Sequence, residues 1–82
     1  MSPDEAEMLH KLRALYEEYQ DLNRKITLAA QKRRFSHDAD EVARAARQEQ
    51  AWLKEMARLM DRMRAVESGL MRARSRTRPL YH

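Results

Sequence analysis

The sequence predicts an all-α protein: an antiparallel two-helix hairpin of coiled-coil type, expected to dimerise into a four-helix bundle. Three observations carry this reading. Large apolar residues recur at alternating intervals of three and four in two separate stretches, the period of helices packed on helices. A short polar segment joins the stretches and ends in helix-capping residues. The composition, with one Gly, two Pro, no Cys and 37% charged residues, belongs to long helices and not to sheets.

The first helix is predicted over residues 3–33. Ser2 can cap it, Pro3 suits the first helical position, and Glu5 completes a capping box. Met8, Leu12, Leu15, Tyr19, Leu22, Ile26 and Ala29 then form the apolar row. Leu9, Tyr16 and Ala30 widen it on one flank. A stripe of this width predicts burial against more than one neighbouring helix. Glu7/Lys11 and Asp21/Lys25 sit at i, i+4 on the outer face, where such pairs add a few tenths of a kcal/mol.

The period breaks at Lys32-Arg33-Arg34-Phe35-Ser36-His37. The three cations complement the negative pole of a helix C-terminus, and the turn is placed at 34–37. A connection this short joins antiparallel neighbours. It holds no Gly or Pro, so one continuous helix is the alternative at this point.

The second helix is predicted over residues 38–70, with Asp38 and Glu41 as its capping box. Val42, Glu49, Met56, Met63 and Leu70 recur every seven residues, with Ala45/Ala46, Trp52/Leu53, Leu59/Met60 and Val66 between them. Gly69 is placed to end the helix in a left-handed cap. The two helices would then match at about 45 Å each, at about 1.5 Å per residue. Residues 71–82, in which Arg alternates with small residues up to Pro79, read as a flexible basic tail.

A chain of 82 residues lies near the size at which one core struggles to hold a fold. Without Cys, neither disulfides nor thiolate-bound metal can supplement it. Oligomerisation or a partner is the remaining route. Up to Leu70 the charges cancel, and the net +4 comes from Arg72, Arg74, Arg76 and Arg78. The acidic N-terminus is unlike a secretory leader and no stretch has the apolar length of a membrane span. The expectation is a cytoplasmic protein, bacterial in style, with no membrane association.

No residue pattern argues for catalysis, a cofactor or a metal. His10, His37 and His82 lack metal-ligand spacing and read as surface histidines. Glu49 occupies a stripe position among apolar neighbours. It reads either as a polar contact fixing register or as a side chain reaching water where the bundle splays. Tyr16 and Tyr19 read as interface aromatics. Met56, Met60, Met63 and Met71 read as core or as an adaptable groove. The expected partner interface comprises Leu15, Tyr19, Leu22 and Ile26 with Trp52, Leu53, Met56, Leu59, Met60, Met63 and Val66.

The predicted function is therefore a non-enzymatic protein–protein interaction module. It would form a homodimer or homotetramer, or dock a partner helix, through its Trp/Leu/Met face. In an alternative reading, Arg72, Arg74, Arg76 and Arg78 contact nucleic acid with the bundle as dimeriser, giving modest and strongly salt-dependent affinity.

Two segments resemble the YdcH-like family of short bacterial proteins. Leu15-Tyr16-Glu17-Glu18-Tyr19-Gln20-Asp21-Leu22-Asn23-Arg24-Lys25-Ile26 is similar to that family's aromatic, Leu-acidic and Ile pattern. Glu41-Val42-Ala43-Arg44 and Leu53-Lys54-Glu55-Met56 resemble its second helix. Tyr19 stands where the family usually has His, and Gln48-Glu49-Gln50-Ala51-Trp52 replaces a lysine-rich centre. The resemblance covers about half the chain and implies a helical hairpin and no activity. In outline the hairpin also looks like the small co-chaperones of type III secretion needle subunits, which hold a helical partner.

Overall fold

The computed structural model describes residues 2–77. Two helices, α1 (Pro3–Phe35) and α2 (Ala39–Thr77), fold back on one another into a rod of 63 × 18 × 16 Å. The connection at Ser36–Asp38 breaks the helix, so the hairpin forms and the continuous helix does not.

Each terminus has a side-chain reason. Ser2 is extended and its hydroxyl accepts from the Glu5 amide at 3.1 Å, with Pro3 opening the helix. At the other end of α1 the Ser36 amide donates to the Lys32 carbonyl at 3.0 Å, and Lys32, Arg33 and Arg34 crowd the negative pole. Asp38 caps α2: its Oδ1 accepts from the amides of Asp40 at 2.9 Å and Glu41 at 3.4 Å. The Ser36 hydroxyl in turn accepts from the Asp38 amide at 3.1 Å. Capping of both ends of so short a link is what makes two helices preferable to one.

The helices are not matched in length. α1 has 33 residues and α2 has 39. Glu18 is level with Arg62 and Glu5 with Arg74, so the end of α1 at Phe35 is level with Ala45, roughly six residues into α2. α2 therefore starts beyond the end of α1 and needs the extra residues to reach α1's first turn.

That requirement corrects the predicted helix end. Gly69 does not cap α2: no described glycine has a positive φ, and the helix runs on to Thr77. Gly69 is buried because the helices approach closely there, and a Cβ added to it would lie 3.3 Å from Met8 Sδ. Leu70 and Ala73 are buried beside it. Residues 71–77, expected to be a flexible tail, are helical. Residues 78–82 of that expected tail, with Arg78 and His82, lie outside the described residues.

The packed seam follows the three-four period on both helices. On α1 it runs through Glu5, Met8, Leu12, Leu15, Tyr19, Leu22, Ile26 and Ala29, all buried or half-buried. On α2 it runs from Val42 and Ala45 through Glu49, Trp52, Met56, Leu59, Met63 and Val66 to Leu70 and Ala73. The buried members are Ala29, Ala45, Leu59, Met63, Leu70 and Ala73. Two helices can enclose only the middle of such a seam, which is why Trp52, Tyr19 and Ile26 stay half-exposed.

Candidate docking site

The expected interface residues divide into three groups in the hairpin. Leu59 at 2% exposure and Met63 at 8% are core within the chain. They cannot serve as outward anchors, which corrects their assignment to a partner surface. Leu15, Tyr19, Leu22, Ile26, Trp52, Met56 and Val66 are half-buried along the edges of the seam. Leu53 at 44% and Met60 at 40% point outward.

Ion pairs fix which way the flanks face. Glu18 and Arg62, each directly preceding a seam residue, meet across the helices at 3.3 Å. That flank carries both signs of charge. Its shallow grooves are lined by Glu18, Lys25, Glu55 and Arg62 around Leu22, Trp52 and Leu59, with a volume of about 350 Å³. Nearer the open end the same flank has a groove of about 410 Å³, where Ala14 and Ala65 leave room beside Leu15 and Val66 and the stems of Lys11 and Arg62 form its rim.

The residues that directly follow Leu15, Trp52 and Leu59 therefore share the opposite flank. They are Tyr16, Leu53 and Met60, exposed by 47%, 44% and 40%. Half-buried Leu9, Ala30 and Ala46 occupy the equivalent positions in neighbouring turns. Since Glu18 pairs with Arg62, Tyr16 is level with Arg64, and Met60 lies about one helical turn away. The three large side chains thus line one side of the rod, with exposed Ala57 between Leu53 and Met60.

Sequence reasoning named Leu53 and Met60 but grouped them with Leu59 and Met63. It read Tyr16 as an interface aromatic together with Tyr19 and did not group it with Leu53 and Met60. The missing signal was the handedness of the hairpin's flanks, which depends on the pairing of Glu18 with Arg62 and is not readable from either helix alone. Leu28 and Phe35 are also exposed, at 59% and 72%. They lie seven residues apart near the turn, on the charged flank and away from the Tyr16 group.

Glu49 is resolved as a paired residue. Its carboxylate lies 3.3 Å from Arg33 Nε on α1, and its side chain is only 13% exposed. Glu5, at 12% exposure, faces Arg74 at 3.9 Å. Three ion pairs, near the turn, at mid-length and at the open end, thus span the helices at different levels. All three fit one antiparallel register, and slipping either helix by a turn would separate them, though exposed pairs such as Glu18–Arg62 add little energy to it.

The same geometry divides the arginines assigned to nucleic acid. Arg74 turns toward Glu5 across the seam, while Arg72 and Arg76 sit one turn apart on the other side of α2, exposed. They do not form one row. Among the described residues no group of three or more His, Asp or Glu side chains could hold a metal ion, and no helix is long and apolar enough to cross a membrane.

The fold and this face define a two-helix antiparallel hairpin with one mixed-charge flank and one apolar flank. No family model matches the sequence, and no curated protein or solved structure is significantly similar to it.

Proposed function

We propose that the protein is a non-enzymatic protein–protein interaction module whose docking surface is the flank bearing Tyr16, Leu53 and Met60. The observation that carries this reading is their common exposure, at 47%, 44% and 40%, on one side of a rod whose own seam is already closed by Leu59 and Met63. Scattered surface apolar residues need no explanation, but a row of large ones on one face marks an interaction surface. A third helix laid along this flank, or a second hairpin, would cover the half-buried edges of Tyr19 and Met56 as well.

The test compares wild type with the double variant Leu53→Glu, Met60→Glu. Both residues are outward, so helicity by circular dichroism should be unchanged. Wild type should change mass across a dilution series in light scattering, or bind an added amphipathic helical peptide, and the variant should lose that association. A wild-type chain that stays monomeric and ignores such peptides at low and high salt would refute the reading.

A further inference from the structure

We infer that the occupant of the apolar flank is an amphipathic helix of another protein whose edges are acidic, and not a second copy of this chain. This rests on the docking reading above and adds the partner's chemistry. The argument is the distribution of charge about the seam. The two rows of each helix nearest this flank contain Leu9, Tyr16, Leu53, Met60 and Met71 as large apolar members, with alanines and the uncharged polar Gln20, Asn23, Thr27 and Gln50 between them. Their charged members among the described residues are Arg13, Arg34, Arg64 and Arg74, against the single acid Glu67. The other acids lie in the seam, on the outer face, at the turn or on the mixed flank, as Glu5, Glu18, Glu49 and Asp61 do in their ion pairs.

Arg13 and Arg34 make no ion pair among the described residues. Arg64 meets only Asp61, a surface pair 70% and 74% exposed that water and salt already weaken. Arg13 and Arg34 stand three heptads apart on α1 and bracket the Tyr16–Leu53–Met60 row along the rod. Two copies pressed together by this face would set arginines against arginines, with one glutamate per chain to offset them. Like-charge juxtaposition selects against that pairing, while Asp and Glu on the edges of a partner helix would meet Arg13, Arg34 and Arg64. Apolar contact in the middle with charges at the rim is the layout of helix-in-groove recognition.

The experiment uses the full-length chain and two synthetic four-heptad peptides, about 42 Å long as helices. Both carry the same Leu seam; one has Glu at the edges and the other Lys. Binding is read by fluorescence anisotropy at low and high salt. The Glu-edged peptide should bind about tenfold or more tighter at low salt, the advantage shrinking as salt rises. The triple variant Arg13→Glu, Arg34→Glu, Arg64→Glu should invert the preference, and because all three side chains are exposed its circular dichroism should change no more than loss of the last turn of α1, where Arg34 complements the helix dipole. The variant Arg13→Gln, Arg34→Gln, Arg64→Gln should abolish the preference without inverting it.

Equal binding of both peptides would overturn the acidic-partner inference and leave the docking reading standing. So would a stable wild-type dimer that Met60→Glu dissolves. Binding to anionic lipid vesicles in place of either peptide, lost in Leu53→Glu, would overturn the inference in favour of a membrane surface. Absence of any association would overturn both readings.

Discussion

Gly69→Ala should stabilise the hairpin, and the sign rests on two opposing terms. Gly69 sits inside α2 with ordinary helical backbone, where glycine costs about 1 kcal/mol relative to alanine. Against that gain, the new Cβ would stand 3.3 Å from Met8 Sδ and 3.4 Å from Met8 Cε. Contact that close forces a displacement of a few tenths of an ångström. The atoms that must move belong to the end of a flexible thioether side chain near the open end of the hairpin. Methionine adapts to such changes at small cost, so we expect a net gain of about 0.5 kcal/mol. For a chain of this size that is about 2–4 °C in Tm. Urea and thermal denaturation followed by circular dichroism would measure it, with protein concentration held fixed to exclude coupling to association. A companion Met8→Ala background should release the full helix-propensity gain, about 1 kcal/mol. A lower Tm for Gly69→Ala, unrelieved in the Met8→Ala background, would refute the argument. It would mean that the close helix approach itself, and not the Met8 side chain, requires glycine.

Three further predictions concern the seam and its ends. Leu59→Ala, at a side chain 2% exposed, should cost about 2–4 kcal/mol through lost burial and a residual cavity, read as a lower urea midpoint at unchanged m-value. Glu49→Leu should raise the urea midpoint, because a mostly covered seam position gains apolar packing while Arg33, 41% exposed, can turn to water; a fall would show that the ion pair outweighs that packing. Deleting residues 71–82 should lower helicity by more than the residues removed and reduce thermal stability, since Ala73 and Arg74 cover the first turn of α1; unchanged stability would indicate that this turn holds without α2.

The hairpin, the turn and both helix starts were legible in the chain because their causes are local. Ser2, Pro3, Asp38 and Glu41 act on amides within a few residues, and the three-four apolar row requires only helical periodicity. Arg34 and Phe35 were assigned to the turn, although α1 reaches Phe35. There a cationic last turn continues the helix to the Ser36 cap, a difference of two residues.

What the local sequence misjudged depends on how far one helix stands along the other. Gly69 carries the usual signature of a helix end, yet the offset between the helices keeps α2 against α1 there, and the missing side chain serves close approach. The same offset draws Ala73 into the seam and turns Arg74 toward Glu5.

By itself, then, the sequence determined that the protein is helical, where its helices begin and which residues form the seam, because periodicity and capping are properties of neighbours along the chain. The tertiary structure decided which apolar residues close the chain's own seam and which stay exposed. Leu59 and Leu53 look alike in the sequence and differ by less than two turns of helix. Only the direction from which α1 packs separates them, burying one and leaving the other exposed beside Met60 and Tyr16.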